Sequence, residues 1–203
     1  PYTPLHEMER GIKGVRWLLV IGILLLVILG GVSLAQERVA PDIGRVGIGA
    51  RAIGMGGAFV GLSDDTAAIF SNPAGLGFQK DWGLTSMSTQ LLQRVDYKSL
   101  GGTYSTEFGT FGIGYIGAVT PAGYTSHIEG SQIVADNPIN YESSIIYLSY
   151  GYDLNKVIRA EESLGHLSLG TNIKILKNGF SNGAEGAGEG LEADCAFMLK
   201  PPV

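Results

Sequence analysis

Long segments in which apolar and polar side chains alternate constrain the fold of this chain more than any other feature. In the clearest, His166 to Lys177, every second residue from Leu167 to Ile175 is apolar or threonine, and those between are polar or glycine. Successive side chains of a strand point to opposite faces, so each segment predicts a strand with one apolar and one polar face. The six predicted strands are Trp82–Leu92, Val95–Ser105, Glu107–Val119, Tyr141–Asp153, His166–Lys177 and Leu191–Lys200.

The length of these strands bears on the fold class. They have about 10 to 13 residues, against about 5 to 6 in ordinary strands and about 9 to 11 in tilted strands that span a membrane. Aromatic residues lie near their ends, as in membrane barrels: Trp82, Tyr104, Tyr141 and Tyr152. We therefore predict an all-β fold, a transmembrane antiparallel β-barrel of which residues 82–203 are the N-terminal part. A soluble secreted β-sandwich is the alternative, because its strands alternate too.

The residues between the predicted strands indicate the length of each connection. Long loops are predicted at Thr120–Asn140, which contains two prolines, and at Asn178–Gly190, which is rich in glycine. Tight turns are predicted at Leu92–Val95 and Ser105–Gly109, and one helical turn within Leu154–Leu164. Six strands are fewer than the eight that a small barrel needs, so we expect further strands beyond residue 203 or another mode of assembly.

The N-terminus has the pattern of an export signal. Three basic residues precede the apolar run Trp17–Leu29, and small residues then favour cleavage between Ala35 and Gln36. An uncleaved helix is the alternative, because Trp17–Ala35 has 19 residues and could just span a bilayer. We expect residues 8–35 to be a signal peptide that starts at Met8, residues 1–7 to be an upstream extension, and the chain to be a fragment of a protein of the Gram-negative outer membrane.

The composition excludes several classes of protein. Of 203 residues 31 are glycine, and 16% are charged, whereas ordinary proteins have about 7% glycine and about 25% charged residues. The low charge argues against a highly charged disordered chain, and the net charge of −5 argues against nucleic acid as a partner, since nucleic-acid binders carry a basic patch. A single cysteine, Cys195, allows no internal disulfide and no multi-cysteine metal site.

The stretch from Gly49 to Gly77 is unlike the rest of the chain. Five glycines lie between Gly49 and Gly61, which disfavours a long helix and lets backbone approach backbone closely. A short helix is predicted from Ser63 to Phe70, with Ser63 as its N-cap. A second start follows at Asn72-Pro73, with Gly75 as its stop. We therefore expect a compact segment that packs on something larger.

This stretch resembles the segment near the mature N-terminus of FadL-type outer-membrane transporters and of the related PorV/PorQ-like outer-membrane proteins. The matching residues are Ala52–Ala58, Asp64–Ala68 and Asn72–Leu76, within about 30 residues. The alternative interpretation, which does not use the resemblance, is a glycine-rich N-terminal arm followed by a turn.

The resemblance implies a plug. In the transporters this segment closes the barrel lumen as a hatch, which implies that residues 36–81, here called the N-terminal segment, do the same in a barrel of about fourteen strands. The motif that carries this expectation is Gly54, Gly56, Gly57, Asp64, Asp65, Asn72, Pro73, Ala74 and Gly75. The implied function is uptake of long-chain fatty acids or other hydrophobic compounds. In the PorV-like branch it is instead docking or shuttling in protein secretion, with the long loops as partner surface.

Motifs for catalysis or cofactor binding are weak. Gly112–Gly117 matches G-x-G-x-x-G but lies inside a predicted strand, whereas a dinucleotide site needs this pattern between a strand and a helix. Asp64 and Asp65 are candidates for a metal or acid–base pair, although helix capping explains them as well. The three histidines are scattered and form no triad. We predict no enzyme, no cofactor and no metal; the expected partners are outer-membrane lipid and either hydrophobic small molecules or secreted proteins.

Overall fold

The computed structural model describes residues 43–92, 94–130, 132–158, 165–181 and 186–201. The predicted start at Met8, the signal peptide and its cleavage between Ala35 and Gln36 lie outside these residues.

Short helical turns form the described part of the N-terminal segment. They are a 3₁₀ helix at Ile43–Val46, then α1 (Ala50–Gly54), α2 (Phe59–Leu62), α3 (Ala68–Ser71) and a second 3₁₀ helix at Pro73–Phe78. None exceeds six residues, as the high glycine content of the first half predicts.

Six antiparallel strands form one sheet in which each strand pairs with the next along the chain. The strands are β1 (Gly83–Leu91), β2 (Val95–Thr106), β3 (Gly109–Glu129), β4 (Gln132–Asp153), β5 (His166–Phe180) and β6 (Gly188–Lys200). The predicted all-β fold is thus confirmed. Within the described residues the sheet is open, with β1 and β6 as its edges, and does not close into a barrel.

The predicted long loop at Thr120–Asn140 is wrong, because β3 and β4 continue to pair as far as Glu129 and Gln132. The result is a two-stranded ribbon that extends past the sheet: β2 pairs with β3 only up to Val119, and β5 pairs with β4 only from Tyr141. Among the described residues, neither β2 nor β5 pairs with the ribbon at the level of its two prolines, so both prolines are tolerated. Register shifts beside the first proline absorb the local irregularity.

The remaining connections follow the prediction more closely. A single helical turn, α4 (Asn155–Ile158), follows β4 as expected. The loop predicted at Asn178–Gly190 is shorter, because β5 continues to Phe180 and β6 begins at Gly188. Extra pairs such as Asn178 with Gly188 extend the ladder into the predicted loop.

The two faces of the sheet differ sharply. One face, here called the exposed face, carries large apolar side chains that are 45% to 74% exposed: Leu100, Tyr104, Phe111, Ile113, Tyr115, Leu148, Ile173, Leu191, Phe197 and Leu199. The other, the covered face, carries glycine and small polar side chains that are buried beneath the N-terminal segment, including Ser99, Thr103, Ser143, Ser149, Ser168 and Asn172.

The hydrophobic core lies between the N-terminal segment and the covered face. Its buried side chains come from both, namely Ile43, Ile48, Ala68, Ile69 and Leu76 from the segment and Tyr97, Ile116, Ala118, Ile145 and Tyr147 from the sheet. The predicted packing of the segment on something larger is therefore seen, and the partner is the covered face of the sheet. Among the described residues there is no helix with the length and apolar character needed to cross a membrane.

Candidate functional site

The best-defined site is the contact between the N-terminal segment and the covered face, here called the seat. Its centre is Asn72, whose side-chain oxygen accepts a hydrogen bond from the Ala74 amide at 3.1 Å, with Pro73 at the first position of the 3₁₀ helix. This confirms the predicted cap. The amide group of Asn72 also donates to the Val60 carbonyl at 3.0 Å, so one buried side chain joins both halves of the segment.

The predicted N-cap at Ser63 is wrong. Ser63 instead ends α2, with φ 29° and ψ 49°, and its hydroxyl donates back to the Phe59 carbonyl at 3.0 Å. Serine stabilises either end of a helical turn because its hydroxyl competes for nearby backbone groups. The helix that follows begins only at Ala68, after Asp65 has accepted a hydrogen bond from the Ala67 amide at 2.8 Å.

Gly75 does not stop a helix either, because it lies within the 3₁₀ helix Pro73–Phe78. A Cβ atom at this position would overlap the Ser63 carbonyl oxygen. Glycine is therefore needed for a close approach between two backbone segments.

The first three motif glycines have a different role from the one expected. A Cβ atom on Gly54, Gly56 or Gly57 would meet nothing within 4 Å, so no close backbone approach occurs there. Gly56 and Gly57 have φ of 57° and 84° and form the left-handed turn between α1 and α2. Nothing in the structure requires glycine at 54.

Asp64 and Asp65 bind Arg51 rather than forming a metal site. The Arg51 Nη1 atom lies 2.6 Å from Asp64 Oδ1 and 3.3 Å from Asp65 Oδ2, and Nη2 lies 3.1 Å from Asp64 Oδ2. The hydrogen bond to Asp64 raises the pKa of the Arg51 guanidinium. Its carbon lies 5.7 Å from the centre of the Phe59 ring. The described residues contain no group of three or more His, Cys, Asp and Glu side chains arranged to hold a metal.

Pairs of glycines on the covered face form notches for the N-terminal segment. Gly101 of β2 lies opposite Gly114 of β3, and a Cβ atom on them would approach the Phe70 ring to 3.0 Å and 2.5 Å. Gly151 of β4 lies opposite Gly170 of β5. There, Cβ atoms would overlap the backbone of residues 73–77. The sheet thus accommodates the segment because glycine leaves no side chain at the positions where the segment packs.

Polar side chains of the sheet fasten the segment in these notches. The Ser168 hydroxyl donates to the Ala74 carbonyl at 2.6 Å, and the Asn172 amide donates to the Ile69 carbonyl at 3.0 Å. Further along, the Tyr97 hydroxyl donates to the Ile43 carbonyl at 3.1 Å. These bonds satisfy carbonyl groups that would otherwise be buried without partners.

Arg51, Ser168, Asn172 and the notch glycines were not predicted from the sequence as site residues. The strand residues among them share one signal, glycine and small polar residues at every second position of neighbouring strands, and this signal becomes interpretable only once the register is known. Arg51 has no such signal. The G-x-G-x-x-G match at Gly112–Gly117 lies within β3, where no helix N-terminus is available to a phosphate.

Comparisons with known proteins give no match to any protein-family model, curated protein or solved structure. Membership of the FadL-type or PorV-like proteins therefore stays a prediction that rests on the three stretches of sequence quoted above.

Proposed function

We propose that this sheet is part of the wall of a β-barrel in the outer membrane and that the N-terminal segment is the plug of its lumen. The observation that carries this proposal is the reversal of the two faces. The exposed face is apolar, and the covered face carries glycine and small polar side chains around one apolar patch that packs on the segment, formed by Tyr97, Ile116, Ala118, Ile145 and Tyr147. In membrane barrels lipid covers an apolar outer face, while the interior is polar.

Charged residues follow the same division. Leu100, Tyr115, Ile146, Ile175 and Leu191 form one continuous register row of apolar residues on the exposed face. A second register row on the same face lies two residues closer to the ribbon and contains Lys98, Lys177 and Glu189. Lys177 and Glu189 form an ion pair at 3.2 Å. This row supports a boundary between lipid and water at that level.

The height of the apolar region also supports the proposal. On β5 it runs from Leu167 to Ile175, eight residue steps, or roughly 27 Å at about 3.4 Å per residue. A strand tilt of about 40° reduces this to about 20 Å, near the apolar band of about 25 Å in outer-membrane barrels. At this depth the covered face instead carries Lys174, bonded to Asp194 at 2.7 Å.

The proposed activity is passage of long-chain fatty acids or other hydrophobic compounds through this barrel. The segment is bound to the inner wall by a few hydrogen bonds and one small hydrophobic core. Such a plug blocks the lumen yet leaves a route when part of it moves. Closure of the barrel requires that the free edges of β1 and β6 pair with further strands.

One observation favours the alternative, a PorV-like component of protein secretion. The ribbon at residues 120–140 presents Tyr124, Ile128 and Ile133 to solvent, at 68%, 77% and 79% exposure. Ile128 and Ile133 are cross-strand partners at its tip. Exposed apolar side chains on a projecting hairpin are typical of surfaces that contact another protein.

Fractionation of cells tests the membrane proposal. In a Gram-negative host we expect the chain in the outer-membrane fraction, resistant to extraction with alkaline carbonate. Recovery from the soluble periplasm, as a β-sandwich would show, or from the inner membrane would overturn the proposal. Uptake of a labelled fatty acid then separates the transporter from the secretion component, since only the transporter should take it up. In a transporter, deletion of residues 124–135 should leave this uptake intact.

A further inference from the structure

The N-terminal segment is divided into parts that differ in how they are held. Residues 68–78 are anchored: their side chains and backbone fill the glycine notches, and Ala68, Ile69, Ala74 and Leu76 are completely buried. Upstream, Ile43 and Ile48 belong to the same core. Between these anchors, the thirteen residues from Ala50 to Leu62 are mostly exposed, and Phe59 is their buried member. We call residues 50–62 the lid.

The bonds of the lid run within the N-terminal segment. In the part of the chain that the structure describes, the hydrogen bonds and ion pairs of residues 50–62 join them to one another or to Gly49, Ser63, Asp64, Asp65 and Asn72. Its backbone hydrogen bonds are local. Side chains of Ile53, Met55, Val60 and Leu62 are 37% to 47% exposed, so little apolar burial holds it.

Both ends of the lid are residues with positive φ. Gly49 has φ 90° and Ser63 has φ 29°. A positive φ in serine is an uncommon, strained conformation that persists only where the surroundings impose it. Here they do so, because the Ser63 carbonyl lies against Gly75 and its hydroxyl is bonded to Phe59. Such positions are suited to absorb the backbone rotations of a hinge.

Two contacts hold the lid against the residues that follow its hinge. They are the Arg51 ion pairs with Asp64 and Asp65 and the Asn72 bond to the Val60 carbonyl. Within the lid, Arg51 lies over the buried ring of Phe59. Arg51 belongs to the lid, whereas both aspartates lie beyond the Ser63 hinge. The ion pair therefore closes across the hinge and has the geometry of a latch.

We propose that the lid swings about Gly49 and Ser63 while residues 68–78 stay seated, and that the Arg51 ion pair is the latch that keeps it closed. This inference rests on the seat of the segment and deepens its proposed role as a plug: only the lid opens the lumen. The motif glycines 56 and 57, whose positive φ forms the turn inside the lid, then belong to the moving part, and Gly75 belongs to the anchored part.

Hydrogen exchange measured by mass spectrometry tests the lid on the folded chain in detergent. We expect exchange in residues 50–62 to be much faster than in residues 68–78. The Arg51→Gln variant should accelerate exchange of the lid by about threefold, in line with a partly exposed ion pair, without changing residues 68–78. Arg51→Lys keeps the charge but loses the bidentate contact, so its lid should exchange at a rate between those of the parent and Arg51→Gln. Arg94→Gln, in an exposed turn, is the matched control.

Equal exchange in both parts, joint acceleration of both by Arg51→Gln, or no difference between Arg51→Gln and Arg94→Gln would each overturn the lid. Because exchange reports the motion whatever the membrane location or cargo, this result is distinct from the fractionation result. A chain found outside the membrane that still shows a latched lid would refute the barrel and leave the two-part segment in place.

Discussion

Gly151 and Gly170 face each other across β4 and β5, and the backbone of residues 73–77 fills the space that two side chains would occupy. The two glycines are at least 76 residues from the motif glycines at 54 to 75, and Gly101 and Gly114 lie against Phe70 on the same covered face. Seat and segment are therefore matched parts of one structure.

A methyl group at Gly151 should unseat the segment. Its Cβ atom would come within 2.6 Å of Leu76 Cβ and 2.7 Å of the Pro73 oxygen, and overpacking of this kind costs about 1–3 kcal/mol. We expect Gly151→Ala to lower the unfolding midpoint in urea and to speed hydrogen exchange in residues 68–78. Gly102→Ala is the control, because its Cβ atom would have no neighbour closer than 3.8 Å. Equal behaviour of the two variants would contradict the notch.

Asn72→Ala should separate the two halves of the segment. It removes the cap on Ala74 and the donor to Val60, which together should cost about 1–3 kcal/mol of stability. Asn72→Asp keeps the acceptor and loses the donor, so its unfolding free energy should lie between that of Asn72→Ala and the parent. An aspartate variant as unstable as the alanine variant would show that the cap contributes little.

Ser168→Ala should weaken the bond between segment and sheet. The buried Ala74 carbonyl loses its hydroxyl donor, at a cost of about 1–2 kcal/mol. Chemical denaturation followed by tryptophan fluorescence measures the change. Ser88→Ala, on an exposed position of β1, should leave the midpoint unchanged, and a similar loss in both variants would argue against a specific anchor.

The sequence predicted the strands better than the ribbon. Period-two alternation is a local property, so all six strands were recognisable before any pairing was known. The prolines at 121 and 138 predicted a loop, since proline cannot donate to a sheet ladder. The ribbon tolerates them because neither β2 nor β5 reaches that level, which depends on the lengths of neighbouring strands.

The site was predicted only where its bonds are local. The Asn72 cap joins residues two apart and follows from sequence, whereas Arg51 reaches Asp64 across 13 residues and Ser168 reaches Ala74 across 94. The role of Ser63 was misassigned because the same hydroxyl can cap the start or the end of a helical turn. Long-range partners follow only from the register of the sheet.

The single cysteine offers the most direct test of the membrane wall. Cys195 is exposed, in the same register row as Tyr104, Phe111 and Tyr150, while its neighbour Ala196 lies on the covered face. A fluorescent label on Cys195, in chain reconstituted into vesicles, should be quenched strongly by brominated lipid. The same label on Ala196→Cys in a Cys195→Ala background should not be. Quenching of the Cys195 label by aqueous iodide and not by brominated lipid would contradict a lipid-facing sheet.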